Sequence, residues 1–151
     1  ALSLMAMFAL LITLITIYLR LDIGRASVST TEKWLVDVPF SLYLGWITVA
    51  TIANVTSVLD YINWSGWGIS PKVWTVIMLL AATTIASAVS FTRGDIAYML
   101  VIIWAFVGIA LKHAGMPIVA PAAWVAVALV AVMTVVGKVS YTRRRQLRHA
   151  T

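Results

Sequence analysis

The chain has 151 residues, 62% of them hydrophobic and 11% charged, with no cysteine, a formal net charge of +6 and a mean hydropathy of +1.00. A soluble domain carries about a quarter charged residues and a disordered chain few aromatics, so this composition, with 7 Trp, 5 Tyr and 4 Phe, excludes both. The lack of cysteine removes disulfides, thiolate metal sites and thiol nucleophiles, and leaves a polytopic membrane protein.

Crossing about 30 Å of hydrocarbon takes about 20 apolar residues. The first span covers residues 2–20 and carries no charge before Arg20. No basic segment precedes it, so it reads as a retained span and not as a signal peptide. The second covers residues 38–59, between Asp37 and Asp60, with Pro39 in its first turn, where a missing N–H costs little. Gly66, Gly68 and Pro71 break the chain before a third span over residues 73–92. The connection Arg93-Gly94-Asp95 is tight enough to make spans three and four antiparallel neighbours. The fourth has a short apolar stretch, Ile96 to Leu111, and is expected to extend into both flanks, over residues 95–113. Gly115 and Pro117 precede the fifth, residues 118–138, with Pro121 in its first turn. A basic tail, residues 139–151, follows. These long runs do not alternate as barrel strands would, and lipid demands internally satisfied backbones. The predicted fold is all-α: one domain over residues 1–151, a bundle of five transmembrane helices.

The basic residues set the expected orientation. Arg20, Arg25, Lys33, Arg93, Lys138, Arg143, Arg144, Arg145 and Arg148 fall on one side, nine in all, against Lys72 and Lys112 on the other. That bias puts the C-terminus in the cytoplasm and the N-terminus outside. The tail reads as a juxtamembrane segment touching anionic lipid, since no nucleic-acid fold accompanies it.

All acids and bases lie at span ends or in loops, so a charged ion path or proton relay has no material. His113 falls just past span four and His149 in the tail, and each reads as an interfacial histidine, not a ligand. Metal clusters, hydrolase triads and phosphate loops lack their residues or spacings, and no enzyme is expected. What the spans do carry is an aromatic–polar stripe on the second helix. At 100° per residue Tyr43, Trp46, Ala50 and Asn54 share one face, and Ser57 extends it. The amide of Asn54 cannot face acyl chains without losing hydrogen bonds, so a partner inside the bundle, a ligand or water is expected beside it. Interhelical packing alone would also account for such a stripe.

The spacing Tyr43-Leu44-x-Trp46-x-x-x-Ala50-x-x-x-Asn54 resembles the last-helix motif of the translocator protein family, the tryptophan-rich sensory proteins (TspO/MBR). The stretch Val38 to Asn54, Trp64-x-Gly66-Trp67-Gly68, and Asp95-Ile96-Ala97-Tyr98 followed by Trp104-Ala105 are similar to its longer bacterial branch, so the resemblance runs from Trp34 to Lys112. In short family members this helix is the last, whereas here it is the second, and the family's Trp-x-Pro-Pro loop is absent from this sequence. The chain therefore looks like the C-terminal part of a longer relative. The resemblance implies binding or sensing of a tetrapyrrole or another hydrophobic pigment or lipid, with Tyr43, Trp46, Ala50, Asn54 and Trp104 as the ligand-binding residues. The contrasting expectation is an accessory subunit packed within a larger membrane complex.

Ala82-x-x-x-Ala86-x-x-x-Ser90 in span three and Ala122-x-x-x-Ala126 in span five allow close helix contact, within the chain or in a homo-oligomer. Trp34, Trp64, Trp67, Trp74 and Trp124 lie near span ends and read as interfacial anchors, while Trp46 and Trp104 fall inside spans.

Overall fold

The computed structural model describes the backbone of residues 2–149 and, within it, the side chains of all but Arg145, Arg148 and His149; Ala1 and the tail residues Ala150 and Thr151 lie outside the described residues. Five long helices run in alternating directions: α1 (Leu2–Arg20), α2 (Val38–Tyr61), α3 (Pro71–Arg93), α4 (Ile96–Lys112) and α5 (Val119–His149). α1 lies on α2, α2 on α4, and α5 packs along both α3 and α4. The tight turn makes α3 and α4 antiparallel, as expected, but the main packing of each is on α5.

The boundaries differ from those read off hydropathy at the starts of α2 and α3 and at the end of α5. α2 is preceded by a helical turn, Thr30–Glu32, capped by the Ser29 side chain, and by a π turn, Lys33–Asp37, in which the Val38 N–H donates to the Lys33 carbonyl. Pro39 follows at once. A proline ring clashes with the carbonyl four residues back, and a widened turn makes room for it, so the helix enters the span without a break. α3 starts two residues early, at Pro71, because the Ser70 side chain caps it at the Val73 N–H. α4 meets its flanks at its caps: Asp95 caps its start by accepting from the Tyr98 N–H, Lys112 is its last helical residue, and His113 closes its end. Its 17 residues rise about 26 Å, just short of the hydrocarbon thickness. α5 continues past Lys138 as helix to His149, because charge stops a span but does not stop a helix.

The core is made where small residues let helices meet. Ala82, Ala86 and Ser90 of α3 are buried, as are Ala123, Ala126 and Val130 of α5. The Ser90 hydroxyl donates to the Met133 carbonyl at 2.7 Å. Gly137 lies against Ser90 so closely that any Cβ there would collide with the Ser90 hydroxyl. The small-residue stripes thus serve packing within the chain. On α2, Gly45 takes the corresponding part, since a Cβ there would meet Val101 and the Tyr98 carbonyl at 3.1–3.3 Å.

At the end of the bundle away from most basic residues, Trp64, Trp67 and Trp74 stack together, with ring centroids 5.1–6.0 Å apart. The Trp74 indole N–H donates to the Gly66 carbonyl at 3.0 Å and fixes the loop. Trp67 holds a left-handed backbone conformation (φ 53°) that a bulky residue rarely adopts. Its ring is exposed. The three anchors expected separately form one aromatic cap.

Candidate functional site

The stripe of α2 lies opposite the buried side of the helix. Ser41, Leu44, Gly45, Ile47, Thr48 and Thr51 face the bundle, whereas Tyr43 is 45% and Trp46 47% exposed. Ala50 and Asn54 are half-buried at the edges of that outer face. Asn54 has its partner in the bundle: its Oδ1 accepts from the Ser3 hydroxyl of α1, at a long 3.5 Å. On the other edge Trp46 meets Trp104 of α4, with ring centroids 5.6 Å apart and planes tilted by 42°. Trp104 is 64% exposed.

The two tryptophans come together because α2 and α4 start at the same end and run parallel through Gly45. Each tryptophan is the ninth residue of its helix, about 12 Å along the axis. That depth is near the middle of a hydrocarbon layer about 30 Å thick, well inside the belt where tryptophan ordinarily anchors. Trp46 and Trp104 therefore form an aromatic surface at mid-depth, with Tyr43 exposed about one turn earlier on α2. It is open to the lipid phase, and no second wall of described residues encloses it.

A second constellation lies at the basic end, and hydropathy gives no sign of it. Asp95 is buried in the α3–α4 turn. One carboxylate oxygen accepts from the Tyr18 hydroxyl of α1 at 2.7 Å and from the Ser41 hydroxyl of α2 at 2.5 Å. The other caps α4 through the Tyr98 N–H at 3.2 Å. Two residues earlier, the buried Arg93 guanidinium donates to the Asp22 carboxylate and to the Ile23 carbonyl, both at 3.0 Å, and stands over the Tyr18 ring at 5.3 Å. Between these side chains Gly94 takes the left-handed conformation that ends α3 (φ 60°). Gly24, also left-handed, presses onto the Arg93 carbonyl, where a Cβ would lie at 2.6 Å. One turn of three residues thus clamps α1, α2 and the first loop. Every buried side-chain polar atom among the described residues has a hydrogen-bond partner, as a clamp requires.

Beside the clamp an open cavity of about 1030 Å³ lies between the first loop, the starts of α2 and α4, and the end of α5. Among the described residues no cluster of His, Asp and Glu could hold a metal ion.

Four helices long and apolar enough to cross a membrane, with a shorter apolar fifth, make this a multi-pass membrane protein. It belongs to the TSPO-like protein family, whose model matches residues 1–136. The match extends well beyond the stretch from Trp34 to Lys112, and takes in α1 and most of the membrane-crossing part of α5. No curated protein and no solved structure matches the chain.

Proposed function

We propose that this TSPO-like protein binds a flat hydrophobic ligand, a tetrapyrrole or a lipid-like pigment, on the Tyr43–Trp46–Trp104 surface, and so acts as a membrane sensor of that ligand. The observation that carries the reading is the Trp46–Trp104 pair at mid-depth, two rings from different helices side by side and open to lipid. A planar ligand dissolved in the bilayer reaches such a surface by lateral diffusion and gains offset stacking on two indoles. Ala50, one turn beyond Trp46, leaves space beside the ring, and the Asn54 amide nitrogen is a donor for a polar group on the ligand. The basic end lies in the cytoplasm in this reading, following the charge bias.

The outward direction of the stripe also favours a second reading, in which a neighbouring helix of a larger complex covers it. Purification from the native membrane in mild detergent separates the two. A protein that travels alone, with visible absorbance and an intact mass that reveals a pigment, supports ligand binding. Stoichiometric co-purification with other subunits, without pigment, supports the accessory subunit. Single cysteines test orientation, since the chain has none of its own. A cysteine at Gly115 should react with an impermeant maleimide in intact cells and one at Thr142 only after permeabilisation; the reverse pattern refutes the orientation.

A further inference from the structure

We propose that the cavity at the basic end is a binding site for one anionic phospholipid, with its phosphate between Lys33 and Lys138 and an acyl chain along Leu42, Ile96 and Leu100. The site is distinct from the aromatic surface and does not rest on the ligand proposed for it.

Both parts of an amphiphile find a counterpart in this cavity of about 1030 Å³. Its lining is continuous from charged side chains at the helix ends to apolar ones facing lipid, and Leu42, Ile96 and Leu100 are all exposed. Trp34 and Tyr141 line the same cavity at the level of Lys33 and Lys138, which places its mouth among lipid headgroups.

The charge balance selects the head. Arg93 is committed to Asp22 and Ile23, and Asp95 to Tyr18, Ser41 and the start of α4. Lys33 and Lys138 are exposed and form no ion pair among the described residues. Asp37 is the remaining carboxylate of the lining; it feels the Lys33 ammonium and the neighbouring Glu32, and two ammonium groups, Lys33 and Lys138, stand against this one acid in the lining. Arg143, five residues after Lys138 on α5, lines a neighbouring groove with it and adds to the positive field. Basic pockets between membrane helices recognise anionic head groups in this way, and a zwitterionic head gains less from the same field.

The test is native mass spectrometry of the full chain released from micelles that contain equal amounts of palmitoyl-oleoyl phosphatidylglycerol and phosphatidylcholine. The wild type should retain one phosphatidylglycerol in preference. Lys33→Gln with Lys138→Gln should lower the phosphatidylglycerol-to-phosphatidylcholine ratio roughly thirtyfold, because each basic residue near the head contributes a comparable increment. Lys33→Arg with Lys138→Arg should restore the ratio, and Lys72→Gln with Lys112→Gln, at the opposite end, should leave it unchanged. Equal retention of the two lipids overturns the proposal, as does an unaltered ratio in the Lys33/Lys138 glutamine variant. Displacement of the lipid by glycerol phosphate at equal concentration also overturns it, since the head alone would then suffice. Both lysines are exposed and form no ion pair among the described residues, so their replacement should leave thermal unfolding nearly where it is.

Discussion

The basic end and the mid-depth aromatic surface are built on opposite terms. At the basic end Asp95 and Arg93 gather partners from α1, α2 and the first loop, and the side chains are buried with their hydrogen bonds made. On the surface Trp46 and Trp104 have each other and the lipid, and little else holds them. In the first region Asp95 and Arg93 spend their polar chemistry on holding helices together and have none left over for a ligand, which leaves head-group contacts to Lys33 and Lys138 beside them. The second contributes little to holding the bundle, so its rings are available to a ligand. Stability and binding thus fall to different residues, and substitutions should separate them.

The largest effect on stability is expected from Asp95→Ala, which strips the α4 cap and leaves the Tyr18 and Ser41 hydroxyls buried without an acceptor. The cost should be about 3 kcal/mol or more, read as a fall in thermal unfolding temperature in detergent. A loss as small as that of a surface substitution would break the contrast between the two regions. Next comes Gly137→Val, which drives a side chain into Ser90 at the α3–α5 contact and should cost about 1–3 kcal/mol in the same melt. Trp46→Ala should behave in the opposite way, with little change in unfolding but a roughly two- to tenfold loss of affinity for a porphyrin from stacking alone. The smallest effect belongs to Trp104→Phe, which keeps a ring beside Trp46 and should retain most of the porphyrin response. If Trp46→Ala lowers the melt as far as Gly137→Val does, the surface is structural after all.

The five spans are legible because their apolar runs are long and their breaks carry charge, glycine or proline. Their ends are less legible. The π turn at Lys33–Asp37 carries a charge at each end, and α5 beyond Lys138 runs into the helix-forming but charged stretch from Arg143 to Arg148, so hydropathy scores both as flanks. Of the candidate site, the pairing of the two mid-span tryptophans follows from position, since both stand nine residues into parallel helices. The direction of the stripe does not follow. α2 carries apolar residues and small polar ones on both faces, and lipid is as apolar as the core, so periodicity cannot tell inside from outside. Small size singles out Ala50, yet the helix crossing is at Gly45, where absence of a side chain permits contact with Val101. The clamp is least legible of all. Tyr18 and Ser41 lie 77 and 54 residues before Asp95, and each alone reads as an ordinary span residue. An aspartate one residue after a glycine at a helix boundary signals a cap, but not the hydroxyls that converge on it.

The central claim is that a flat hydrophobic ligand binds against Trp46 and Trp104. It is tested most directly by titrating protoporphyrin into the full chain in lipid nanodiscs while following tryptophan emission, with the Trp46→Ala/Trp104→Ala double variant alongside. Saturable quenching at low porphyrin concentration, weakened roughly tenfold or more in the double variant at an unchanged unfolding temperature, is the predicted result. Quenching that never saturates, or that the double variant reproduces in full, would contradict it.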